Sequence, residues 1–286
     1  MFSDTHFHFK MMTEERGVDG VEVLTKLASR NCFFGLDIGT RAGDLTGRKQ
    51  AVEKCLAELQ DPQLAEKARS LIYFSAGIWP DVDSIKDRQN QMKILRDSLT
   101  PEVIAIGECG LDHHWNPSGE DGRCEEDFDQ QVYQGERELF QMQIELAREL
   151  NLPVIVHSRD AFSDTLDCIK NTGYDNGIIH CYSYGIEEAR AFLDRGWYIA
   201  LGGGITYTKK SKLEAMQELI RFIPDDRLLT ETDAPYLAPV PFRGQANSPV
   251  LVEHVFNFIA QTRGITVGEL NELVDKNIST LFFCKN

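Results

Sequence analysis

Six side chains of types that commonly bind metal ions stand at or near the ends of short apolar segments in this sequence. They are His6, His8, Glu108, His157, His180 and Asp233. Barrel enzymes built from parallel strands place catalysis at the carboxyl ends of those strands. We therefore expect these side chains, which are far apart in the chain, to converge on one metal site.

Each of these residues also has an ordinary structural interpretation. Side chains alternate along a strand, so His6 and His8 point to the same side, but such a pair alone is more often two hydrogen-bonded histidines. Glu108 could instead form an ion pair with Arg159, and Asp233 could be a turn residue before a proline-containing segment. The coincidence of six such residues at strand ends favours the metal site.

Four imidazoles and two carboxylates are more ligands than one ion needs, so the set predicts two divalent ions, Mg²⁺, Mn²⁺ or Zn²⁺, although Mg²⁺ prefers oxygen ligands. We expect Glu108 to bridge the two ions. The other five ligands are expected to divide between the two ions. One ion is held by His6, His8 and Asp233, and the other is held by His157 and His180. Such ions make hydroxide available near neutral pH, and the predicted catalytic residues are Glu108 and Asp233, with Asp233 as general base.

The elements that must position these residues follow a repeated strand–helix pattern. The predicted strands are continuous apolar or β-branched runs, typical of a parallel sheet buried on both faces, at 2–7, 32–38, 71–77, 102–107, 153–157, 176–180, 197–201 and 227–231. Apolar residues at helical spacing predict helices that include 18–30, 48–59, 81–98, 131–150, 186–195, 209–222, 249–262 and 267–282. Eight such units predict an α/β fold, a (β/α)₈ TIM barrel forming a single domain over 1–286, with a doubly wound open sheet as the alternative.

Bulk properties narrow the class of protein. A chain of 286 residues suits one barrel of roughly 250 residues. The net charge of −15 argues against a broad basic face for nucleic acid, so a phosphate substrate must be attracted locally. Seven scattered cysteines without a CxxC motif, no signal-peptide pattern and no apolar run near 18 residues predict a cytoplasmic protein without a membrane partner.

Several motifs occur in an order that resembles a known family. They are DTHFH at 4–8, AIGECGLD at 105–112, PVIVHSRDA at 153–161, IIHCYS at 178–183, TETDAPYLAP at 230–239 and FRGQANSP at 242–249. Together they span nearly the whole chain. The sequence resembles the TatD family of metal-dependent deoxyribonucleases, within the amidohydrolase-like barrel enzymes.

This resemblance implies a TIM barrel whose metal ligands fall on the same six residues. It also implies a Mg²⁺-dependent deoxyribonuclease that cleaves phosphodiester bonds, with DNA as the partner. Some members are 3′→5′ exonucleases on single strands, so the resemblance favours that mode of cleavage. Some relatives hydrolyse D-aminoacyl-tRNA, so an ester or amide hydrolase such as a deacylase is the alternative. A barrel that only binds a partner is the non-enzymatic alternative, and the complete ligand set argues against it.

Two arginines are candidate substrate-binding residues. Arg159 lies two residues beyond His157 and could contact a phosphate, or could pair with Glu108 or Asp160. Arg243 lies in a Gly- and Pro-rich loop after the last strand, where barrels often bind phosphate, or could hydrogen bond to loop carbonyls.

Residues beside the predicted ligands receive more ordinary expectations. The cluster formed by His113, His114 and Trp115 could stack on a base or anchor a loop. Cys109 and Cys181 each follow a ligand by one residue, so we expect buried structural thiols that face away from the site. The acidic segment 116–130 is expected to be a long solvated loop.

Overall fold

The computed structural model describes residues 2–114 and 129–284. Within them, eight parallel strands form one sheet in which each strand pairs with the next along the chain. The strands, β1 to β8 in chain order, are Asp4–Phe7, Gly35–Asp37, Ile72–Ala76, Val103–Asp112, Val154–Arg159, Gly177–Ile179, Tyr198–Leu201 and Leu228–Thr230.

The sheet closes on itself just beyond the end of β8. Phe7 forms a parallel bridge with Ala234, and the His8 amide donates to the Ala234 carbonyl at 2.8 Å. The Asp233 amide donates to the carbonyl of His6 at 2.9 Å. The predicted (β/α)₈ TIM barrel is therefore confirmed, and the open doubly wound sheet is wrong.

Helices of the described residues cover the outside of this barrel. In chain order, α1 to α11 are Gly20–Ser29, Leu45–Glu58, Pro62–Leu71, Val82–Lys86, Arg88–Ser98, Gln130–Leu150, Phe162–Thr172, Ile186–Leu193, Leu213–Phe222, Val252–Arg263 and Val267–Ile278. None of the helices in this part of the chain is both long enough and apolar enough to cross a membrane.

Three helical segments differ from the sequence prediction. The helix predicted at 81–98 is two helices, α4 and α5, because the backbone of Asp87 leaves helical geometry and its side chain accepts hydrogen bonds from Asn90 and Gln91. Helices α3 and α7 were not among the predicted helices. The start of α3 is nevertheless encoded locally, because Asp61 accepts from the first free amides and Pro62 occupies the first turn.

The strands are buried on both faces, as their apolar runs predicted. Val154, Ile155 and Val156 are consecutive in β5 and have no exposed surface. Because consecutive strand residues point to opposite faces, both the barrel interior and the helix layer must cover this strand. The barrel is thus a packed core, which leaves its carboxyl end as the place for polar side chains.

Strand β4 continues five residues beyond its predicted end and carries the site glutamate inside it. Gly107 and Gly110 flank that glutamate with φ of +145° and +149°. A Cβ atom at Gly110 would lie 1.9 Å from the His157 carbonyl oxygen, so only glycine lets β4 approach β5 this closely. The predicted loop 116–130 lies outside the described residues up to residue 128, and Asp129 caps α6 by accepting from the Val132 amide at 2.7 Å.

Candidate metal centre

The carboxylate of Glu108 stands at the centre of a histidine cluster at the barrel mouth. Its Oε2 lies 3.3 Å from His6 Nε2 and 3.7 Å from His8 Nε2. Its Oε1 lies 2.9 Å from His180 Nε2 and 3.0 Å from His157 Nδ1. Each carboxylate oxygen therefore faces a different pair of imidazoles, which is the division that the sequence analysis expected of a bridging carboxylate.

Asp233 joins the pair formed by His6 and His8. Its Oδ1 lies 3.6 Å from His6 Nε2 and 3.7 Å from His8 Nε2. The backbone of Asp233 has a φ of +57°, a left-handed conformation in which aspartate is among the residues most often found. All six predicted residues thus converge on one place, although Glu108 and His157 lie inside strands rather than at strand ends.

The ionisation of the two carboxylates is shaped by these histidines. Burial by itself would raise the pKa of Glu108, but the charge of His180 and hydrogen bonds from His157 and His180 outweigh it and hold that pKa well below its usual range. Burial likewise opposes a hydrogen bond from His8 and the charge of His6, which lower the pKa of Asp233. Both carboxylates are therefore anionic at neutral pH and ready to bind a cation.

The histidine rings respond in opposite directions. For His6, burial and the charge of His180 outweigh Glu108 and lower the pKa, which favours the neutral ring that a metal needs. For His180, burial is outweighed by the charges of Glu108 and Glu231, which raise the pKa well above its usual range. The carboxylates around His180 thus favour the protonated form of its ring in the absence of an ion.

In three histidine rings, the nitrogen that points away from Glu108 lies near a further oxygen. His8 Nδ1 lies 3.2 Å from the Ile38 carbonyl oxygen, and His157 Nε2 lies 3.0 Å from Asp112 Oδ2. His180 Nδ1 lies 3.5 Å from Glu231 Oε1. Sequence reasoning missed Asp112 and Glu231, because nothing in the sequence separates them from ordinary acidic residues.

A buried ion pair supports the rim beneath His8. Asp37 accepts from the Phe9 amide at 2.7 Å and from Arg48 Nη1 at 2.7 Å. Arg48 also donates from Nη2 to the Ser75 carbonyl at 2.6 Å, and so links the ends of β1, β2 and β3. This network fixes the strand ends from which His8 projects.

The two candidate substrate residues occupy different positions at the mouth. Arg159 is the last residue of β5. Burial would raise the pKa of Asp112, but the contact with His157 outweighs it, and the charge of Arg159 adds a smaller lowering effect. Both carboxylates that were considered as partners of Arg159 contact histidines. Glu108 Oε1 lies 2.9 Å from His180 Nε2, and Asp160 Oδ2 lies 2.7 Å from His114 Nδ1.

Arg243 is exposed, and its guanidinium carbon lies 4.3 Å from the centre of the Tyr207 ring. Burial raises the pKa of Tyr207, and the charges of Cys181 and Asp233 add to that effect. Tyr207 therefore lies within electrostatic reach of the site, and Arg243 stacks on it. In the described part of the chain, Arg243 makes no hydrogen bond to a loop carbonyl.

The two cysteines that follow ligands behave differently. Cys109 is fully buried, and its thiol lies 3.8 Å from the Ile155 carbonyl oxygen, as expected for a structural thiol. Cys181 is only half-buried, so the expectation of a buried thiol is wrong. The chain turns there with a φ of +45°, and after burial the charge of Asp233 contributes to raising the pKa of the Cys181 thiol. This thiol therefore lies beside the acidic groups of the site.

The aromatic cluster after Glu108 is partly described. His113 Nε2 lies 3.2 Å from Oε2 of the buried Glu136, and the His113 ring packs edge-on against Tyr133 at 4.7 Å. These contacts favour a packed anchor over a base-stacking role for His113. Trp115, the third member of the predicted cluster, lies outside the described residues.

Comparison with known proteins agrees with the fold and the site. A family model described as TatD related DNase matches residues 3–283. A Bacillus subtilis protein named uncharacterized metal-dependent hydrolase YabD is 32% identical over 285 residues, 99% of each chain. A Pantoea vagans protein named 3′-5′ ssDNA/RNA exonuclease TatD is 34% identical and covers 85% of this chain and 90% of its own. The crystal structure of YjjV, a TatD homologue from Escherichia coli K12, superposes with a TM-score of 0.73 at 26% identity and covers 99% of this chain and 98% of its own.

An eight-stranded parallel barrel with clustered histidines and carboxylates at its mouth defines a metal-dependent hydrolase, and the relatives share that description. The chain belongs to the TatD family. The resemblance found in its motifs is thereby confirmed.

Proposed function

We propose that this hydrolase cleaves phosphodiester bonds of nucleic acids and shortens DNA from the 3′ end. The observation that carries the proposal is the buried carboxylate of Glu108, whose two oxygens face two separate histidine pairs. Paired divalent ions sharing a carboxylate are a recurrent arrangement for phosphodiester cleavage. The Pantoea vagans relative is named a 3′-5′ ssDNA/RNA exonuclease, which supports the same activity.

The residues present fit a pair of divalent ions. Within the part of the chain that the structure describes, both ring nitrogens of His6 are buried without a hydrogen-bond partner, which is costly unless a further group binds there. Ligand atoms of His6, His8 and Glu108 lie within 4.8 Å of one another, and so do those of Glu108, His157 and His180. The nitrogen and oxygen donors suit Zn²⁺ or Mn²⁺, and Mg²⁺ through the carboxylates.

We assign the ligands as the sequence analysis divided them. On the side of Glu108 Oε2, one ion would be held by His6, His8 and Asp233. On the side of Glu108 Oε1, the other ion would be held by His157 and His180. When bound, the ions supply hydroxide near neutral pH and stabilise negative charge on phosphate oxygens. Asp233 Oδ1 would take the proton of the attacking water, since its carboxylate is anionic and therefore able to accept one.

Positive side chains at one part of the mouth support a phosphate substrate. Lys209, Lys210 and Lys212 are exposed, follow Tyr207 closely, and make no ion pair within the described chain. Arg243 stacks on the same tyrosine. In a chain with a net charge of −15, this cluster is the local attraction that the sequence analysis required, and Arg159 adds a cation at the end of β5.

A direct assay tests the proposed reaction. Single-stranded DNA labelled at the 5′ end is incubated with the protein in Mg²⁺, Mn²⁺, Co²⁺ or Zn²⁺, and D-aminoacyl-tRNA is tested in parallel. We expect a ladder of products shortened stepwise from the 3′ end, and no ladder with the Asp233→Asn variant. Deacylation without DNA cleavage would instead identify an ester hydrolase.

A metal analysis of the purified protein separates both enzymes from a binding protein. Activity on neither substrate, with less than about half an equivalent of metal that added ions do not restore, would identify a barrel that only binds a partner.

The six described cysteines are free thiols, which fits the cytoplasmic setting that we propose for this activity.

A further inference from the structure

Glu231 is a fully buried carboxylate directly beneath the metal centre, and nothing in the proposed reaction uses it. It has no exposed surface and follows β8 immediately. Its Oε1 accepts the Cys181 amide hydrogen at 2.5 Å and lies 3.5 Å from His180 Nδ1. The Cys181 contact fixes the orientation of the carboxylate with respect to the strand that carries His180.

The second oxygen of this carboxylate is one of several polar atoms here that lack a hydrogen-bond partner within the described residues. Glu231 Oε2 and His6 Nδ1 are both buried and make no hydrogen bond within the described residues. Ligand atoms of His6, His180 and Glu231 lie within 4.8 Å of one another. His6, His180 and Glu231 therefore form one small cluster, in which Glu231 Oε2 and the Nδ1 atoms of both rings have no hydrogen-bond partner within the described residues.

The orientation of the two rings explains why one carboxylate can serve both. His6 and His180 stack with their ring centres 4.0 Å apart and their planes inclined by 11°. Both point Nε2 at Glu108, at 3.3 Å and 2.9 Å. Because Nδ1 and Nε2 lie on different edges of an imidazole, their Nδ1 edges remain for a different acceptor.

We propose that Glu231 is a positioning residue shared by the two halves of the metal centre. Its carboxylate accepts the Nδ1 hydrogen of His180 and of His6, so that each ring presents an unprotonated Nε2 to its ion. A neutral imidazole carries only one ring hydrogen, and an acceptor at Nδ1 keeps it there and raises the basicity of the ligating nitrogen. This inference rests on the proposed two-ion site, because His6 belongs to one ion and His180 to the other.

A carboxylate shared by His6 and His180 affects metal binding differently from two separate acceptors. If Glu231 held only His180, its loss would weaken one ion. If it holds both rings, its loss weakens both ions together. The matched variant is Glu231→Gln, which keeps the side-chain volume and an oxygen for the Cys181 amide but cannot accept from both rings.

The test is a Co²⁺ titration of metal-free protein, followed by visible absorption and by competition with a chelator. Wild-type protein should bind two equivalents. Glu231→Gln should bind both with about 10–100-fold lower affinity, the usual effect of losing a carboxylate that orients a ligating histidine. Far-UV circular dichroism establishes that the variant is folded.

Asp275→Asn is the control, because Asp275 is a half-buried carboxylate that accepts from Ser3 at the start of β1, away from the mouth. Its Co²⁺ affinities should equal those of wild type. Spectra of ¹⁵N-histidine-labelled, Zn²⁺-loaded wild type give a second readout, and both His6 and His180 should carry the hydrogen on Nδ1.

The outcomes separate this inference from the proposed function. Wild type that binds fewer than two ions overturns the two-ion site and the shared role together. Wild type that binds two ions, with Glu231→Gln unchanged or weakened at one ion only, overturns the shared role and leaves the two-ion site intact. A hydrogen on Nε2 of either ring also overturns it.

Discussion

Asp112 holds the edge of His157 that faces away from Glu108, because Asp112 Oδ2 lies 3.0 Å from His157 Nε2. His157 Nδ1 meanwhile lies 3.0 Å from Glu108 Oε1. Asp112 is itself placed by the buried Glu136, whose Oε1 accepts the Asp112 amide hydrogen at 2.8 Å. The ring is thus fixed from both sides, and the nitrogen offered to an ion is Nδ1.

The first prediction concerns this contact. Asp112→Asn keeps the shape of the side chain but makes it a weaker acceptor, so the affinity for the ion on the His157 side should fall about 10–100-fold. Chelator competition measures the affinity of each ion separately. Asp175→Asn is the control, since Asp175 accepts from Arg195 and Trp197 at the opposite end of the barrel. Equal effects of the two variants would contradict the role of Asp112.

The second prediction concerns Asp233 as general base. With metal at saturating concentration, Asp233→Asn should lower kcat about 10²–10⁴-fold, because general acid–base steps are typically worth that much. The fold should persist, as circular dichroism would show, since Asn can also adopt the positive φ of this position. Near-normal turnover would rule out this residue as the base.

The third prediction concerns stability with and without metal. An ion that binds only the folded protein adds about 2.7 kcal/mol of stability at a concentration 100 times its Kd. Removal of metal with a chelator should therefore lower Tm, and added Mn²⁺ or Zn²⁺ should restore it. Glu108→Gln should lose most of this response, because Glu108 is the carboxylate that faces both histidine pairs. A variant with an unchanged metal-dependent rise in Tm would show that Glu108 is not a ligand.

The sequence predicted the barrel because its signal is local and repeated. Runs such as PVIVH read as strands buried on both faces, and Val154 to Val156 are indeed fully buried. The ligand residues could be found because histidine, aspartate and glutamate are conspicuous beside such runs. Their convergence follows from topology alone, since parallel strands of a closed barrel bring all their carboxyl ends to one rim.

Other features depend on packing that the sequence does not display. Glu231 and Asp112 could not be separated from ordinary acidic residues, because their role appears only when a ring nitrogen is seen beside each carboxylate. The environment of Cys181 follows from a left-handed turn after β6, which no periodicity marks. Strand β4 continues its pairing with β5 past a register shift between Ile106 and Cys109, which no periodicity marks.

The fourth prediction concerns the ion pair beneath the rim. Arg48→Met leaves Asp37 buried without its cation and should lower the free energy of unfolding by about 3–5 kcal/mol. The double variant Asp37→Asn/Arg48→Met should recover part of this loss, because it removes the unpaired charge. Urea unfolding measures both. Arg30→Met is the control, since its pair with Glu253 is exposed and should be worth about 1 kcal/mol or less. A loss at Arg48 no larger than at Arg30 would contradict the prediction.

The fifth prediction concerns thiol reactivity. Burial raises the pKa of Cys168 to about 12, and it also raises the pKa of Cys109. Only the thiolate reacts with iodoacetamide, and a group with that pKa is roughly 1 part in 10,000 thiolate at pH 8. The native protein is alkylated and then analysed by mass spectrometry. We expect the exposed Cys284 to be modified and the two buried cysteines to remain unmodified. Reactivity should rise with pH and appear fully in denaturant. If Cys168 reacts at the rate of Cys284 in native protein at pH 8, the packing of α7 against α6 is looser than the structure shows, because that packing encloses the thiol.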